Sequence, residues 1–217
     1  ALIGAYGVDD NGAESGSAYI LTGSGSNWTQ QQKIIALVPD GGLPELEFND
    51  YYGQSVAIDD DTALIGAYQD DDMGSNSGSV HVFVRTGTSW SHQAKLLASD
   101  SAIGDYFGYS VAIDGDTALI GAYTDDDNGG NSGSAYVFVR SGTSWSQQAK
   151  LLASDGAVSD LFGYSVAIDG DTALIGAYQD DDSGDNSGSA FVFVRNGTNW
   201  TQEAKLVASD GAATDYF

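Results

Sequence analysis

Short apolar runs of roughly five to eight residues alternate along this chain with clusters of Gly, Asp, Asn and Ser, and no run shows the period of an amphipathic helix. From Tyr109 to Ala153 the runs read "YSVAI", "ALIGAY", "SAYVFV" and "QQAKLLA", joined by a tight "DGDT" turn, an acidic loop and an "RSGTSW" turn. β-Branched and aromatic residues fill them, so each is predicted to be a strand. Ala135 to Val139 is apolar on consecutive residues. A strand without alternation needs cover on both faces of its sheet.

The same order of segments returns along the whole chain. "ALIGAY" begins at Ala1, Ala63, Ala118 and Ala173, giving spacings of 62, 55 and 55 residues with 45 left over. The units 1–62, 63–117, 118–172 and 173–217 then make one repeat domain. Four strands per unit, covered on both faces, predict an all-β fold: a β-propeller of four-stranded antiparallel blades, about 55 residues per repeat, forming part of a larger propeller. A β-solenoid is the other repeat architecture open to such a chain, but its coils are shorter and need no three hairpins per unit. The first unit lacks a "GYSVAIDGDT" ahead of "ALIGAY", which predicts a three-stranded first sheet and open edges at both ends. Its seven extra residues fall in "VPDGGLPELEFNDYYG" with both prolines, Pro39 and Pro44, so Gly41 to Glu47 is expected to form a distinctive surface loop.

Charge narrows the class of partner. Thirty-one acidic residues face seven basic ones in 217, a formal charge of -24 and a pI near 4.1, so nucleic acid and anionic membranes are not expected partners. Cations are the natural counterpart. At 41% hydrophobic and 11% aromatic, the chain can bury a core despite this charge. With no cysteine it has neither a disulfide nor a thiol nucleophile. No apolar run approaches the length of about 20 residues that a spanning helix requires, so no membrane insertion is expected.

The segment "DYFGYSVAIDGDTALIGAY" from Asp105 resembles the FG-GAP repeat of integrin-alpha-like β-propellers. Phe107 and Gly108 match the first dipeptide, and Gly121, Ala122 and Tyr123 stand where that family has Gly, Ala and Pro. "YYG" at Tyr51 to Gly53 and "LFG" at Leu161 to Gly163 return in phase, each followed by "GAY". The resemblance implies a closed propeller, commonly of seven blades, working in adhesion outside the cell, with calcium held in the hairpin between the first two strands. Here that hairpin is only "DGDT", with Asp114 and Asp116 in one unit and Asp169 and Asp171 in another, too few oxygens for the six to eight that calcium takes. The chain is more similar to a bacterial and algal variant with a short first turn, in which the acid has moved to the next loop.

That next loop is the strongest chemical signal. It reads "QDDDMGSN" from Gln69, "TDDDNGGN" from Thr124 and "QDDDSGDN" from Gln179. Alternate aspartates of a turning loop can point the same way, which selects Asp70, Asp72 and Asn76, then Asp125, Asp127 and Asn131, then Asp180, Asp182 and Asn186 as calcium ligands. In the first unit Val8 replaces the first ligand, leaving Asp10 and Glu14. The middle aspartate, Asp126 in its unit, is expected to face solvent or a backbone donor. Adjacent carboxylates repel one another unless a cation offsets them, which favours calcium; the other reading is a solvated turn in which Asp and Asn bond their own backbone.

Other repeated residues read as architecture. Trp28, Trp90, Trp145 and Trp200 precede Lys33, Lys95, Lys150 and Lys205 by five residues, a ladder that packs between blades or stacks sugars, with packing the stronger reading. His81 and His92 occupy columns held elsewhere by Tyr136 and Gln147, so they read as substitutions inside a repeat. Identical acidic loops do not supply the two unlike carboxylates that glycoside hydrolysis needs, so no enzyme is expected. Asn27, Asn196 and Asn199 fit a glycosylation acceptor pattern. The expectation from sequence is an extracellular adhesion or structural module supported by calcium. It would bind a protein or glycan partner, with further repeats or a neighbouring subunit at its edges; a lectin of the same fold is the alternative and an enzyme scaffold the less favoured one.

Overall fold

A computed structural model describes residues 1–9, 13–35 and 49–217. The insertion from Gly41 to Glu47 with Pro39 and Pro44, and the candidate ligand Asp10, lie outside the described residues. Every regular element is a strand. β1 (Leu2–Ala5), β2 (Ser17–Ser24) and β3 (Asn27–Ile34) form a three-stranded sheet. Three four-stranded sheets follow: β4 (Val56–Asp59), β5 (Thr62–Ala67), β6 (Ser79–Thr86) and β7 (Ser89–Leu96); β8 (Ser110–Asp114), β9 (Thr117–Ala122), β10 (Ser134–Ser141) and β11 (Ser144–Leu151); β12 (Phe162–Asp169), β13 (Thr172–Ala177), β14 (Ser189–Asn196) and β15 (Asn199–Leu206). Strand order within each sheet follows the chain and all pairing is antiparallel. These are propeller blades, and the expected three-stranded first sheet is present. A unit counted from "ALIGAY" opens on the second strand of one blade and closes on the first strand of the next.

Stacking of the blades explains the apolar runs. In β10, Tyr136 and Phe138 pack on the preceding blade against Val80, Val82 and Leu96, while Ala135 and Val137 pack on the following blade against Phe162, Ile175 and Phe191. The period-2 alternation is intact, but both faces are covered, so it does not show as apolar and polar. Each of the two middle blades buries two apolar faces, one against each neighbour, which is the main stabilising term.

A β-bulge repeats between the third and fourth strands. Between β10 and β11 the register shifts after Val137, leaving Gln148 unpaired. The bulge turns Gln148 toward the next blade, where its Oε1 accepts Trp200 Nε1–H at 3.0 Å; Gln93 does the same for Trp145 at 3.0 Å. Arg140 and Arg195 stack over the same two indoles at 5.4 and 5.3 Å. For Trp145 and Trp200 the packing reading of the ladder holds.

The signature glycines are where blades touch. Gly108 N–H donates to the Gly121 carbonyl of its own blade at 3.0 Å, and the Gly163 carbonyl of the next blade rests on the other side of Gly121, where a Cβ would lie 1.9 Å from it. The Ser110 hydroxyl donates to that same carbonyl at 2.8 Å. Gly163 itself has φ +89, and its added Cβ would meet the Ser134 carbonyl at 2.2 Å. Gly163→Ala is therefore expected to cost on the order of 3 kcal/mol, whereas Gly142→Ala, in a turn at φ +65 with nothing within 4 Å, is expected to cost about 1 kcal/mol. Denaturant unfolding of the two variants checks the difference.

Candidate functional site

The acidic loop of the third blade joins β9 to β10, and its shape follows from three side chains. Asp125 Oδ1 accepts the Asp127 N–H at 3.1 Å, Asp126 Oδ1 accepts the Asn131 N–H at 2.7 Å, and the Ser132 hydroxyl accepts the Asn128 N–H at 3.1 Å. Asn131 adopts φ +54, a left-handed conformation Asn tolerates, and its carbonyl receives the Leu161 N–H from the lead-in to the next blade at 3.2 Å. The middle aspartate takes a backbone donor, as expected. Asp71 with Asn76 and Asp181 with Asn186 repeat the bond at 2.6 Å, and Asp9 with Glu14 at 2.8 Å.

The two outer aspartates of the loop turn to one side and close on a lysine. Lys150 of β11 places its Nζ 2.9 Å from Asp125 Oδ2, 2.6 Å from Asp127 Oδ2, and 2.8 Å from Asp100 Oδ2 in the linker between blades. Asp125 is buried, and the Tyr136 hydroxyl donates to its Oδ2 at 2.8 Å. The fourth blade repeats the cluster with Lys205 on Asp180 at 2.7 Å, Asp155 at 2.9 Å and Asp182. In the second blade Lys95 meets Asp70 at 2.8 Å and also Asp72. Burial alone would push the Lys150 ammonium down, but its hydrogen bonds and ion pairs to Asp100, Asp127 and Asp125 outweigh it and hold it above the ordinary lysine range. Asp100, which burial would push up, is drawn below its usual value by Lys150.

The structure thus brings Asp70 to Asp72, Asp125 to Asp127 and Asp180 to Asp182, each pair around a lysine ammonium. Asn76, Asn131 and Asn186 serve through their backbone. Glu14 accepts a hydrogen bond from the Tyr51 hydroxyl, which raises that phenol to about 12. The short "DGDT" hairpin is engaged as well: Arg140 Nε–H donates to Asp116 at 2.6 Å and Gly170 N–H to Asp114 at 2.6 Å. Reasoning on the acids alone missed the lysines. The signal was available, since all seven basic residues stand in two repeated columns, Lys33, Lys95, Lys150 and Lys205 and then Arg85, Arg140 and Arg195.

Sequence reasoning also missed a band of tyrosines. Tyr6 contacts Tyr51, and Tyr51 contacts Tyr68, at ring-centroid distances of 6.0 and 5.4 Å. Tyr68 meets Tyr109 at 5.3 Å, Tyr109 meets Tyr123 at 4.4 Å and Tyr164 at 5.1 Å. Tyr164 meets Tyr178 at 4.1 Å, and Tyr178 reaches Tyr216 at 5.6 Å. The band crosses all four blades. Its members are half-buried, with Tyr6 and Tyr216 about half exposed. Burial, and then the neighbouring phenols, raises Tyr123 to about 12.

A family model for the FG-GAP repeat matches residues 28–83, 90–138, 145–193 and 200–217. No curated protein matches the chain.

One column shows what the repeat tolerates. Where the third blade has Tyr136, the second has His81, buried, with Nδ1 3.2 Å from His92 Nε2. Burial, with Lys95 and His92 beside it, pushes His81 well below 6.5. The folded state keeps it neutral while the unfolded chain takes up a proton below about 6.5, so its share of stability is present at neutral pH and lost on acidification. Relative to His81→Tyr, the natural chain is expected to lose up to about 1.4 kcal/mol per pH unit below that value, read from urea midpoints between pH 7.5 and 5.5.

Proposed function

Because the chain belongs to the FG-GAP repeat family, we propose that it works outside the cell as a non-catalytic adhesion or structural module, and that it binds its partner through the tyrosine band. FG-GAP repeats build integrin-like propeller modules, and what such a module binds is decided by surface residues and not by the fold. The single observation that carries the reading is the continuity of the band: aromatic rings in mutual contact run across four blades, half-buried in the middle of the band and exposed at its ends. Half-buried tyrosines are rigid anchors that lose little conformational freedom on binding. The basic side chains of Lys95, Lys150, Lys205 and the three arginines, by contrast, are engaged with aspartates inside the repeat, which supports a non-catalytic role.

The outer face of the fourth blade extends the reading. Leu174 and Leu206 on the fourth blade are 40% and 42% exposed, while the equivalent Leu119 and Leu151 are buried by the following blade. This face suits another blade-like sheet of the same register. The expected calcium support is not carried into this reading, because the aspartates that would hold the ion close on lysine.

The same tyrosine band favours the lectin as a second reading, since aromatic rings beside hydroxyl groups stack sugars. The variant Tyr68→Ser/Tyr123→Ser/Tyr178→Ser, with its folding checked by circular dichroism and melting temperature, is expected to bind cells or matrix at least about tenfold more weakly than the natural chain. Unchanged adhesion by the folded variant would remove the band from the binding surface. A glycan array separates the readings: binding to defined sugars that the triple variant loses selects the lectin, and an empty array with intact cell binding selects a protein partner.

A further inference from the structure

We propose that lysine is the resident cation of the acidic loops, so that this propeller needs no calcium to hold its blades together. An ammonium has three donors and no acceptor, and Lys150 presents them to three carboxylates at 2.6 to 2.9 Å. The contacts to Asp100 and Asp125 have hydrogen-bond geometry, and Asp127 adds a third carboxylate as an ion pair. Calcium at the same point would need six to eight oxygens at about 2.3–2.6 Å, and it would have to evict a like charge held by Asp125, itself buried. The arrangement is not an accident of one blade, because Lys205 stands in the same relation to Asp155, Asp180 and Asp182.

The position of the lysine shows what the ion pair does. Lys150 leaves β11, reaches the loop between β9 and β10 through Asp125 and Asp127, and reaches back through Asp100 to the linker from the preceding blade. One side chain thereby ties a loop, a strand and an inter-blade linker. The other acidic position, the "DGDT" hairpin, is tied by Arg140 within the blade and by the Gly170 N–H of the next. Both places where a divalent ion could organise an acidic loop are served by donors of the chain itself.

Replacing the lysine tests this directly, because it removes the ammonium and leaves the oxygens of Asp100, Asp125 and Asp127 facing one another beside the Tyr136 hydroxyl. The natural chain is heated in millimolar calcium and in chelator at equal ionic strength, beside Lys150→Met, Lys205→Met and Lys150→Arg. The expected result is equal melting temperatures for the natural chain in both buffers and no calcium bound by titration calorimetry. Lys150→Met and Lys205→Met are each expected to melt lower in chelator and to recover roughly 5–10 °C in calcium at a hundredfold its dissociation constant, with one ion bound per substituted loop. Lys150→Arg, which keeps the charge, is expected to show no calcium response. A rise in the melting temperature of the natural chain with calcium, or calcium found in it by elemental analysis, overturns the proposal. So does a folded methionine variant that melts at the natural temperature in chelator. Should Lys150→Met fail to fold, Lys205→Met and the natural chain still decide the matter. None of these readouts involves partner binding, so the outcome is independent of what the tyrosine band recognises.

Discussion

A carbonyl oxygen pressed onto a glycine sets the spacing of the blades. Gly163 O lies where the first side-chain atom of Gly121 would be, and Gly108 O stands in the same relation to Gly66 at 2.1 Å. Only at this separation can the Ser110 and Ser55 hydroxyls donate to those carbonyls, at 2.8 and 2.6 Å. The aromatic residue just before each glycine is then placed between sheets: Phe162 pairs with Gly133 of the preceding blade, and its N–H reaches the Ser132 carbonyl at 3.0 Å. From there the effect runs outward. The lead-in residue Leu161, at φ +58, bonds Asn131, which holds the acidic loop in the shape that presents Asp125 and Asp127 to Lys150.

A chain with a formal charge of -24 places three of its four lysines where acid is buried. Exposed carboxylates are screened by water and salt and cost little. Asp70, Asp125 and Asp180 are buried, and each has a lysine within 2.9 Å. Removing one partner of such a pair leaves an uncompensated charge out of water, which is costly, whereas the pairs of Arg140 and Arg195 with exposed hairpin aspartates contribute at most about 1 kcal/mol. The seven basic residues are therefore not equivalent. Lys95, Lys150 and Lys205 offset desolvated acid, and the arginines cover indole faces and trim a hairpin.

Substitutions within a column show how far a blade can vary while its neighbours stay in register. Tyr136, His81 and Phe191 occupy one position at the heart of successive interfaces, each in edge contact with the ring before the signature glycine, at 5.3 Å in all three. The ring contact is shared. The polar consequences are not: Tyr136 donates to Asp125, whereas in the second blade the Ser79 hydroxyl donates to Asp70 at 2.9 Å.

Repetition made most of the fold legible from residues alone. "ALIGAY" at four fixed positions, turn residues between apolar runs and consecutive apolar residues in "SAYVFV" determined strands, their number per blade and cover on both faces, because these are local consequences of side-chain type and spacing. The pairing of alternate aspartates was legible for the same reason: Asp125 and Asp127 are two apart on one loop. What the tertiary structure decided was which groups from distant parts of the chain meet. Lys150 is 25 residues beyond Asp125 and 50 beyond Asp100, and only the β-bulge, the hairpin twist and the stacking of the preceding blade bring its ammonium to both. The tyrosines of "GAY" and "GYS" are likewise scattered in sequence and continuous in space, since the blades place equivalent positions side by side. A column of repeats states that a charge recurs; the packing of one blade on the next decides what neutralises it.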